Sequence, residues 1–248
     1  RAPGRPLNAG PLYIASGAPV TPERLHTNWT RIAAALERKG AGDGHQAGEG
    51  SPRVEIAPPA PRALVDSVET ELGVTLPQSF RDVVTKVSGN ATISWQLPEG
   101  KGPPKPLHEV FSGECSWDLQ GLPELYARYR EWRDDLESDP TDEYSAVWHG
   151  KIPFMAVPNG DYMTIDIASP GEQAVVYVSH DDGRGHGYRL GSTFADYLER
   201  CAALACVGSE DWQWLPFTEG PDSLLLPDSE NAKQWRAWLG LGGSAGDV

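Results

Sequence analysis

Residues 148–207 constrain the fold more than any other stretch, because they alternate like β-strands and then change to helical spacing. Ile165 and Ile167 alternate with polar neighbours, which is typical of a strand with one buried face. Residues 175–178 form a β-rich run, and an Asp-Gly turn signal follows it. Two or three strands are therefore expected in this stretch.

A helix is predicted directly after these strands. Ser192 or Thr193 can accept hydrogen bonds from the first free amides of a helix and serve as its N-cap. The apolar residues that follow recur every three or four positions, and they are Phe194, Tyr197, Leu198, Cys201, Leu204 and Ala205. A hairpin is therefore expected to pack against a closing helix.

Four amphipathic helices and two strands are predicted upstream of this stretch. Thr21 is predicted to cap the first helix, which has Pro22 in its first turn. Asp118 is predicted to cap the fourth helix, whose apolar face comprises Leu122, Leu125, Tyr126, Tyr129, Trp132 and Leu136. The predicted helices span residues 21–40, 61–73, 77–87 and 118–136, and the predicted strands span residues 93–97 and 114–117.

The length of 248 residues favours one large domain, or one domain with appendages. Residues 40–52 are rich in Gly and poor in apolar side chains, so a mobile linker is expected there. We predict an N-terminal extension at residues 1–52 that contains one amphipathic helix. An α+β domain is predicted at residues 53–208, followed by a Trp-rich C-terminal extension at residues 209–248 that packs on the core.

The formal net charge of −14 repels nucleic-acid phosphates and favours a cationic partner, although acidity also serves solubility alone. No apolar run is long enough to span a bilayer, and the N-terminus lacks an apolar signal core, although residue 1 is Arg rather than Met. The three cysteines lack zinc-type spacing and leave an odd thiol, which favours a reducing compartment. A cytoplasmic protein that binds neither nucleic acid nor membrane is expected.

Short motifs of low individual specificity follow one another in order between residues 61 and 207. They are Glu71-Leu72-Gly73, Leu76-Pro77, Phe80, Val87-Ser88-Gly89, Ile152-Pro153-Phe154, Asn159-Gly160-Asp161, Ile165-Asp166, Val176-Tyr177-Val178-Ser179-His180-Asp181, Ser192-Thr193-Phe194 and Tyr197-Leu198. In their order and spacing the chain resembles the SUKH superfamily of Smi/Knr-like proteins. It departs from the usual pattern at Ser88-Gly89-Asn90, where an Asn-Gly turn is usual, and in its long terminal additions.

The resemblance implies an α+β fold, with a twisted, largely antiparallel sheet flanked by helices and, here, N- and C-terminal helical extensions. Many bacterial members of the superfamily that the chain resembles are immunity proteins. They bind and neutralise toxin domains, often nucleases, of polymorphic toxin systems. Fungal relatives are regulatory interaction proteins. No catalytic residue set comes with the resemblance, so no enzymatic activity and no cofactor are expected, and function is expected to come from a surface.

The segment from His180 to His186, with Asp181, Asp182 and Gly183 between them, is the one stretch that suggests metal chemistry. Its two imidazoles and two carboxylates would bind a metal if three or four of them converged on one point. A turn between strands explains the same residues more simply, because Asp-Gly is a strong hairpin signal. A metal-dependent enzyme that uses this loop is the third hypothesis, and no metal site is expected.

The most one-sided charge run lies at residues 131–143, with seven acids against one Arg. Such a run is either a solvated helix end or a surface for a cationic protein, with aromatic anchors beside it. The residues predicted to contact a partner are Glu131, Asp134, Asp135, Glu137, Asp139, Asp142, Glu143, Tyr144, Trp148, Asp181 and Asp182. The leading hypothesis is an immunity protein that binds a cognate toxin domain stoichiometrically, and the second is a regulatory or scaffolding interaction module.

Overall fold

The computed structural model describes residues 20–44, 50–168, 173–181 and 183–242. These residues form eight α-helices and two antiparallel sheets, which confirms the predicted α+β class. The strands are β1 (Arg53–Ile56), β2 (Asn90–Gln96), β3 (Ser112–Asp118), β4 (Lys151–Ala156), β5 (Tyr162–Asp166), β6 (Val175–Val178) and β7 (Arg189–Gly191). The helices are α1 (Pro22–Glu37), α2 (Arg62–Leu72), α3 (Gln78–Lys86), α4 (Leu122–Leu136), α5 (Glu143–Ala146), α6 (Phe194–Ala203), α7 (Asp211–Trp214) and α8 (Glu230–Leu239).

The first sheet has the strand order β1-β2-β3. Strands β2 and β3 pair from Asn90 opposite Asp118 to Gln96 opposite Ser112. Buried and half-buried residues alternate along β3, as expected for a strand with one face on the core. Strand β1 is not among the predicted strands, because none of its four residues is fully buried and the apolar signal is weak.

The second sheet has the order β4-β5-β6-β7, so residues 148–207 contain four strands where two or three were predicted. The first five residues of β4 are all buried. Its sequence therefore lacks the polar and apolar alternation by which a half-buried strand is recognised. The strands that the resemblance assigned to a single sheet are divided between two sheets.

The helix ends follow the predicted signals at most positions. The Thr21 hydroxyl accepts a hydrogen bond from the backbone amide of Arg24 at 3.3 Å, and Thr193 caps α6 in the same way. Gly73 ends α2 with a left-handed φ of 69°. The predicted Asp118 cap of α4 is wrong, because the N-cap position is Gly121 and the Asp118 carboxylate accepts from the backbone amide of Gln120.

One large buried cluster extends from Leu25 on α1 to Leu241 after α8, so residues of both predicted extensions contribute to the same core. The Trp235 ring of α8 stacks on Trp95 of β2, and its indole N–H donates to the backbone carbonyl of Leu204 at 2.7 Å. The division into three segments stays a prediction. None of the helices in the described residues has the length and apolar character needed to cross a membrane.

The predicted linker begins in packed structure. Ala41 is buried, and Gly42 pairs with Gln96 beside β1. The start of residues 40–52 is therefore held against the first sheet, which corrects the expectation of a mobile linker there. Residues 45–49 lie outside the described residues.

Candidate partner-binding surface

The acids predicted to contact a partner lie in the last turns of α4, in loop 137–142 and at the start of α5. Glu137 is half-buried and the other six are exposed. Asp181 is exposed as well, and the contact between Trp132 and His180 places its segment beside α4. We call these exposed side chains of residues 131–143 and Asp181 the acidic surface. The predicted Asp182 lies outside the described residues.

Two large apolar side chains lie within the acidic surface. Trp132 is 37% exposed and Leu136 is 63% exposed, although the sequence predicts both on the buried face of α4. That prediction is wrong at these positions, because α4 is covered only along its first part, where Leu122 and Tyr129 are buried. Trp132 and Leu136 are four residues apart, so they lie on one side of the helix.

Hydrogen bonds fix the loop that carries the middle acids. The Asp139 carboxylate accepts from the backbone amide and hydroxyl of Thr141 at 2.9 and 2.7 Å, and these bonds hold the pKa of Asp139 below its ordinary value. Asp142 caps α5 by accepting from the backbone amides of Tyr144 and Ser145. These bonds lower the pKa of Asp142, with Ser145 as the largest contributor. The loop therefore presents its carboxylates as ionised groups in fixed positions.

Tyr144 connects α5 to the end of β6. Its hydroxyl donates to the backbone carbonyl of Ser179 at 2.6 Å, and its ring stacks on His186 with 3.8 Å between centroids. The His186 Nδ1 accepts from the Ser179 amide at 3.0 Å, and its Nε2 donates to the Tyr144 carbonyl at 3.0 Å. Burial lowers the pKa of His186, which keeps the ring neutral in this arrangement. Tyr144 is half-buried, and through these contacts it holds α5 against the end of β6.

Trp148 is not a surface residue, so its predicted role as a partner anchor is wrong. It is 0% exposed and lies in a small buried cluster with Tyr129, Tyr162 and Val178. The Tyr129 hydroxyl donates to the Trp148 carbonyl at 2.5 Å, and the two rings stack with 5.3 Å between centroids. Because of this position, Trp148 anchors α4 to the second sheet, and Trp132 is the aromatic side chain that the surface presents.

A buried carboxylate lies behind the acidic surface. Asp161 is 1% exposed and occupies the turn between β4 and β5. Its Oδ1 accepts from the backbone amide of His180 at 2.9 Å and from His180 Nδ1 at 2.7 Å. Its Oδ2 accepts from Asn159 Nδ2 at 2.7 Å and from the Tyr177 hydroxyl. Gly160 has a φ of +103°, and a Cβ there would lie 3.2 Å from the imidazole of His180.

This network defines the protonation of its members. Burial alone would raise the pKa of Asp161, but the hydrogen bonds from Tyr177, His180 and Asn159 outweigh it and place the pKa below its ordinary value. The carboxylate is therefore ionised and can only accept. His180 Nδ1 must then carry a proton, because it lies 2.7 Å from a carboxylate oxygen that can only accept.

Asp161, His180 and Asp181 are the one group of potential metal ligands among the described residues, with ligand atoms within 4.8 Å of one another. Both oxygens of Asp161 already accept two hydrogen bonds each, and His180 Nδ1 is one of the donors. A metal would have to displace that donor. His186 binds Tyr144 and Ser179 instead of joining the group, so hydrogen bonding accounts for the loop.

Sequence reasoning missed two features of this surface. The exposure of Trp132 and Leu136 has no signal in the sequence, because periodicity shows which side of a helix is apolar but not how far along it the core extends. Asp161 had a signal in the Asn-Gly-Asp turn. The position of that turn next to the end of β6 depends on the pairing of β5 with both β4 and β6, which sequence alone did not supply.

No curated protein matches the chain at a significant level. The sequence model of the SMI1 / KNR4 family (SUKH-1) matches residues 59–200, which is more than half of the 248 residues. The matched region contains both sheets apart from β1, together with the Asn-Gly-Asp turn and the residues around His180. It agrees with the resemblance inferred from the motifs, and the chain therefore belongs to the SMI1 / KNR4 family (SUKH-1).

Proposed function

We propose that this chain is a cytoplasmic immunity protein, which neutralises a cognate toxin domain by stoichiometric binding without turnover. Family membership supports a protein-binding role. The observation that carries the proposal is the exposure of Trp132 and Leu136 in the middle of the acidic surface. Trp132 and Leu136 are two of the three large hydrophobic side chains that are exposed in the described residues, and the third is Phe111.

The two kinds of side chain contribute differently to binding. Exposed carboxylates attract a cationic protein over several ångströms and raise the association rate, an effect that salt screens. Large aromatic and aliphatic side chains contribute most of the affinity once water is excluded around them. Exposed acids close in sequence to an exposed indole and leucine therefore fit a partner whose surface is positively charged and has an apolar patch.

The same charge complementarity would allow this protein to block the active groove of a nuclease toxin. A nuclease needs a cationic groove for the phosphate backbone of its substrate. An acidic surface can occupy such a groove, and it then competes directly with the nucleic acid. In this proposal the toxin partner is a cationic nuclease domain, and neutralisation requires one immunity protein for each toxin.

The proposal is tested with purified toxin domains encoded next to this gene. We expect one of them to form a one-to-one complex in pull-down and calorimetry, with an association rate that falls as salt increases. Trp132→Ala is expected to weaken binding by about tenfold or more, as at an interface hot spot. Phe111→Ala is the matched control, because Phe111 is 40% exposed but belongs to another part of the chain, where it packs on Trp212.

The contribution of the exposed acids to binding has its own control. Glu131→Gln together with Asp135→Asn is expected to lower the association rate and the salt dependence, whereas Asp66→Asn together with Glu71→Gln on α2 leaves both unchanged. All four acids are exposed and each pair removes two charges, so the comparison separates position from total charge. Complexes that tolerate Trp132→Ala, or no complex with any neighbouring toxin, would refute the proposed function and favour a regulatory interaction module.

A further inference from the structure

One short helix of the acidic surface depends on other elements for its position. Helix α5 has only four residues, and an isolated helix of that length is unstable in water. It carries two acids of the surface, Asp142 at its N-cap and Glu143 at its first position. The position of these acids is therefore set by the contacts that hold α5 to the rest of the protein.

His186 joins α5 to the end of β6 through both of its ring nitrogens. The backbone amide of Ser179 can only donate, so Nδ1, which lies 3.0 Å away, must be unprotonated. The backbone carbonyl of Tyr144 can only accept, so Nε2, also at 3.0 Å, must carry the proton. The Tyr144 ring lies on the imidazole with 3.8 Å between centroids. We call these three interactions the His186 contact, and only the neutral ring with its proton on Nε2 satisfies both hydrogen bonds.

A second proton on the ring is incompatible with this contact. It would be placed on Nδ1, where the N–H of the ring would point at the N–H of Ser179. The Ser179 amide would lose its acceptor, and Ser179 is fully buried. The charged ring would also be half-buried, and this burial lowers the pKa of His186. Protonation of His186 is therefore coupled to opening of the His186 contact.

Acidic side chains around the ring oppose this effect but do not outweigh it. Glu137 in the loop before α5 and Asp161 in the turn between β4 and β5 both raise the pKa of His186 by their negative charge. The net shift is nevertheless downward, because burial is the largest contribution. A pH response of this region is therefore assigned to His186 only by substitution at that position. Besides the acids of α5, the other titratable or charged side chains on the described elements around His186 are Tyr144, His149, His180, Asp181, Arg184 and Asp211.

We propose that His186 is the positioning residue of α5, and that its protonation in acid opens the His186 contact and releases α5 with its two acids from the end of β6. His186 acts through the backbone of Tyr144 and Ser179, so the surface keeps its shape only while the ring is neutral. The inference rests on the proposed function for its biological meaning, which is a partner that is held at neutral pH and released in acid.

The direction of the pH response follows from the two states of His186. In the open state the imidazole is in water and has its ordinary pKa of about 6.5. In the closed state the pKa is lower. The closed state is therefore fully stable above a pH of about 6.5 and loses stability as the pH falls below that value. The opening equilibrium should increase by up to about tenfold per pH unit until the pKa of the closed state is reached.

The test uses the free, ¹⁵N-labelled full chain. Imidazole ¹⁵N chemical shifts should show the tautomer with the proton on Nε2 at neutral pH. Hydrogen exchange of the Ser179 amide is expressed as a protection factor, which corrects for the pH dependence of exchange itself. This protection factor should decrease about five- to tenfold between pH values of about 7.5 and about 5.5, whereas the amides of the central strand β2 keep theirs. A proton on Nδ1 at neutral pH, or a constant protection factor at Ser179, would overturn the inference.

Two variants separate His186 from its neighbours. His186→Asn places a carbonyl oxygen near the position of Nδ1, so the Ser179 amide keeps an acceptor, but one that cannot gain a proton. The protection factor of Ser179 should therefore stay constant across this pH range. Tyr144→Phe is the matched control, because it removes the hydroxyl bond to the Ser179 carbonyl but no group that titrates near neutral pH. It should lower the protection at every pH and retain the decrease in acid.

A pH response that persists in His186→Asn would contradict the assignment, since it would come from another group such as His149, His180 or Glu137. Loss of the response in Tyr144→Phe would contradict it as well. If His186→Asn does not fold, the tautomer in the wild type and the pH profile of Tyr144→Phe still decide.

The measurements on the free protein involve no toxin, so a failure of the pH response leaves the proposed function standing. A captured toxin should keep the Ser179 amide protected to lower pH, because a partner that binds the closed form stabilises it. If the toxin binds but leaves this protection unchanged, α5 is not part of the interface and release in acid is refuted. If the response appears in the free protein and no neighbouring toxin is captured, the positioning role of His186 is supported and the immunity role is refuted.

Discussion

The two ends of α4 carry the same kind of side chain in different surroundings. At its first part Leu122 is 1% exposed and Tyr129 is fully buried against the second sheet. At its last turns Trp132 and Leu136 continue the same apolar spacing, but they are exposed. The apolar face of α4 is longer than the core on which it packs. Its buried end stabilises the fold, whereas its exposed end can contact a partner.

The comparison also separates two groups of polar residues. Beneath the exposed end, the Asp161 carboxylate is buried and all its hydrogen-bonding positions are used within the protein. On the exposed end, Asp135 and Glu131 are open to solvent. A buried, saturated carboxylate contributes to the fold, whereas exposed carboxylates contribute mainly to the choice and approach of a partner.

The largest expected effect concerns the buried end. Tyr129→Ala should lower the free energy of unfolding by about 3–5 kcal/mol, because it leaves a cavity beside Trp148 and Tyr162. Trp132→Ala, three positions further along, should cost less, about 1–2 kcal/mol, because Trp132 is 37% exposed although it still packs on His180. Urea unfolding of the two variants measures the difference. Equal losses would mean that Trp132 belongs to the core and would remove the contrast on which the binding surface depends.

The next effect concerns the buried carboxylate. Asp161→Asn should lower the free energy of unfolding at pH 7 by about 2–3 kcal/mol, because an amide cannot accept four hydrogen bonds. The pKa of Asp161 is lower in the folded protein than in the unfolded chain, where it is about 3.9. The ionised carboxylate therefore stabilises the fold fully above the unfolded pKa, and this stabilisation is lost as the pH falls through the folded pKa.

Urea titrations of the wild type and Asp161→Asn at a series of pH values check this sign. The difference between them should shrink as the pH falls below about 4. Asp135→Asn, which changes an exposed acid, controls for the general loss of negative charge. If the difference in unfolding free energy stays constant or increases as the pH falls, Asp161 is not ionised in the folded state.

A smaller effect is expected where an acid of the surface also has a structural role. Asp142→Ala removes the cap of α5, so the amides of Tyr144 and Ser145 lose their acceptor and should exchange with solvent about fivefold faster. Glu143→Ala, next in the chain, removes an equally exposed acid without a capping bond and is the control. Equal exchange in the two variants would show that the loop is held by Tyr144 and His186 alone.

The sequence predicted the fold better than it predicted the surface. Caps such as Thr21 and Thr193 depend on hydrogen bonds within four residues, so local sequence is sufficient for them. Strand β4 was missed because its burial removes the alternation by which a half-buried strand is recognised. Trp132 lies on the predicted apolar face of α4 and Trp148 was predicted as a surface anchor, and only tertiary packing decides that Trp148 is buried and Trp132 exposed.

The smallest expected effect is at Leu136. Leu136→Ala should change the free energy of unfolding by less than about 0.5 kcal/mol, because the side chain is 63% exposed and has little burial to lose. Leu122→Ala on the same helix should cost about 2–5 kcal/mol, since Leu122 is 1% exposed. The same substitution is thus made at both ends of one helix, which removes differences of residue type from the comparison. If Leu136→Ala leaves the free energy of unfolding nearly unchanged but weakens toxin binding, Leu136 belongs to the contact surface and not to the core. A loss of stability as large as that of Leu122→Ala would instead place Leu136 within the folded core.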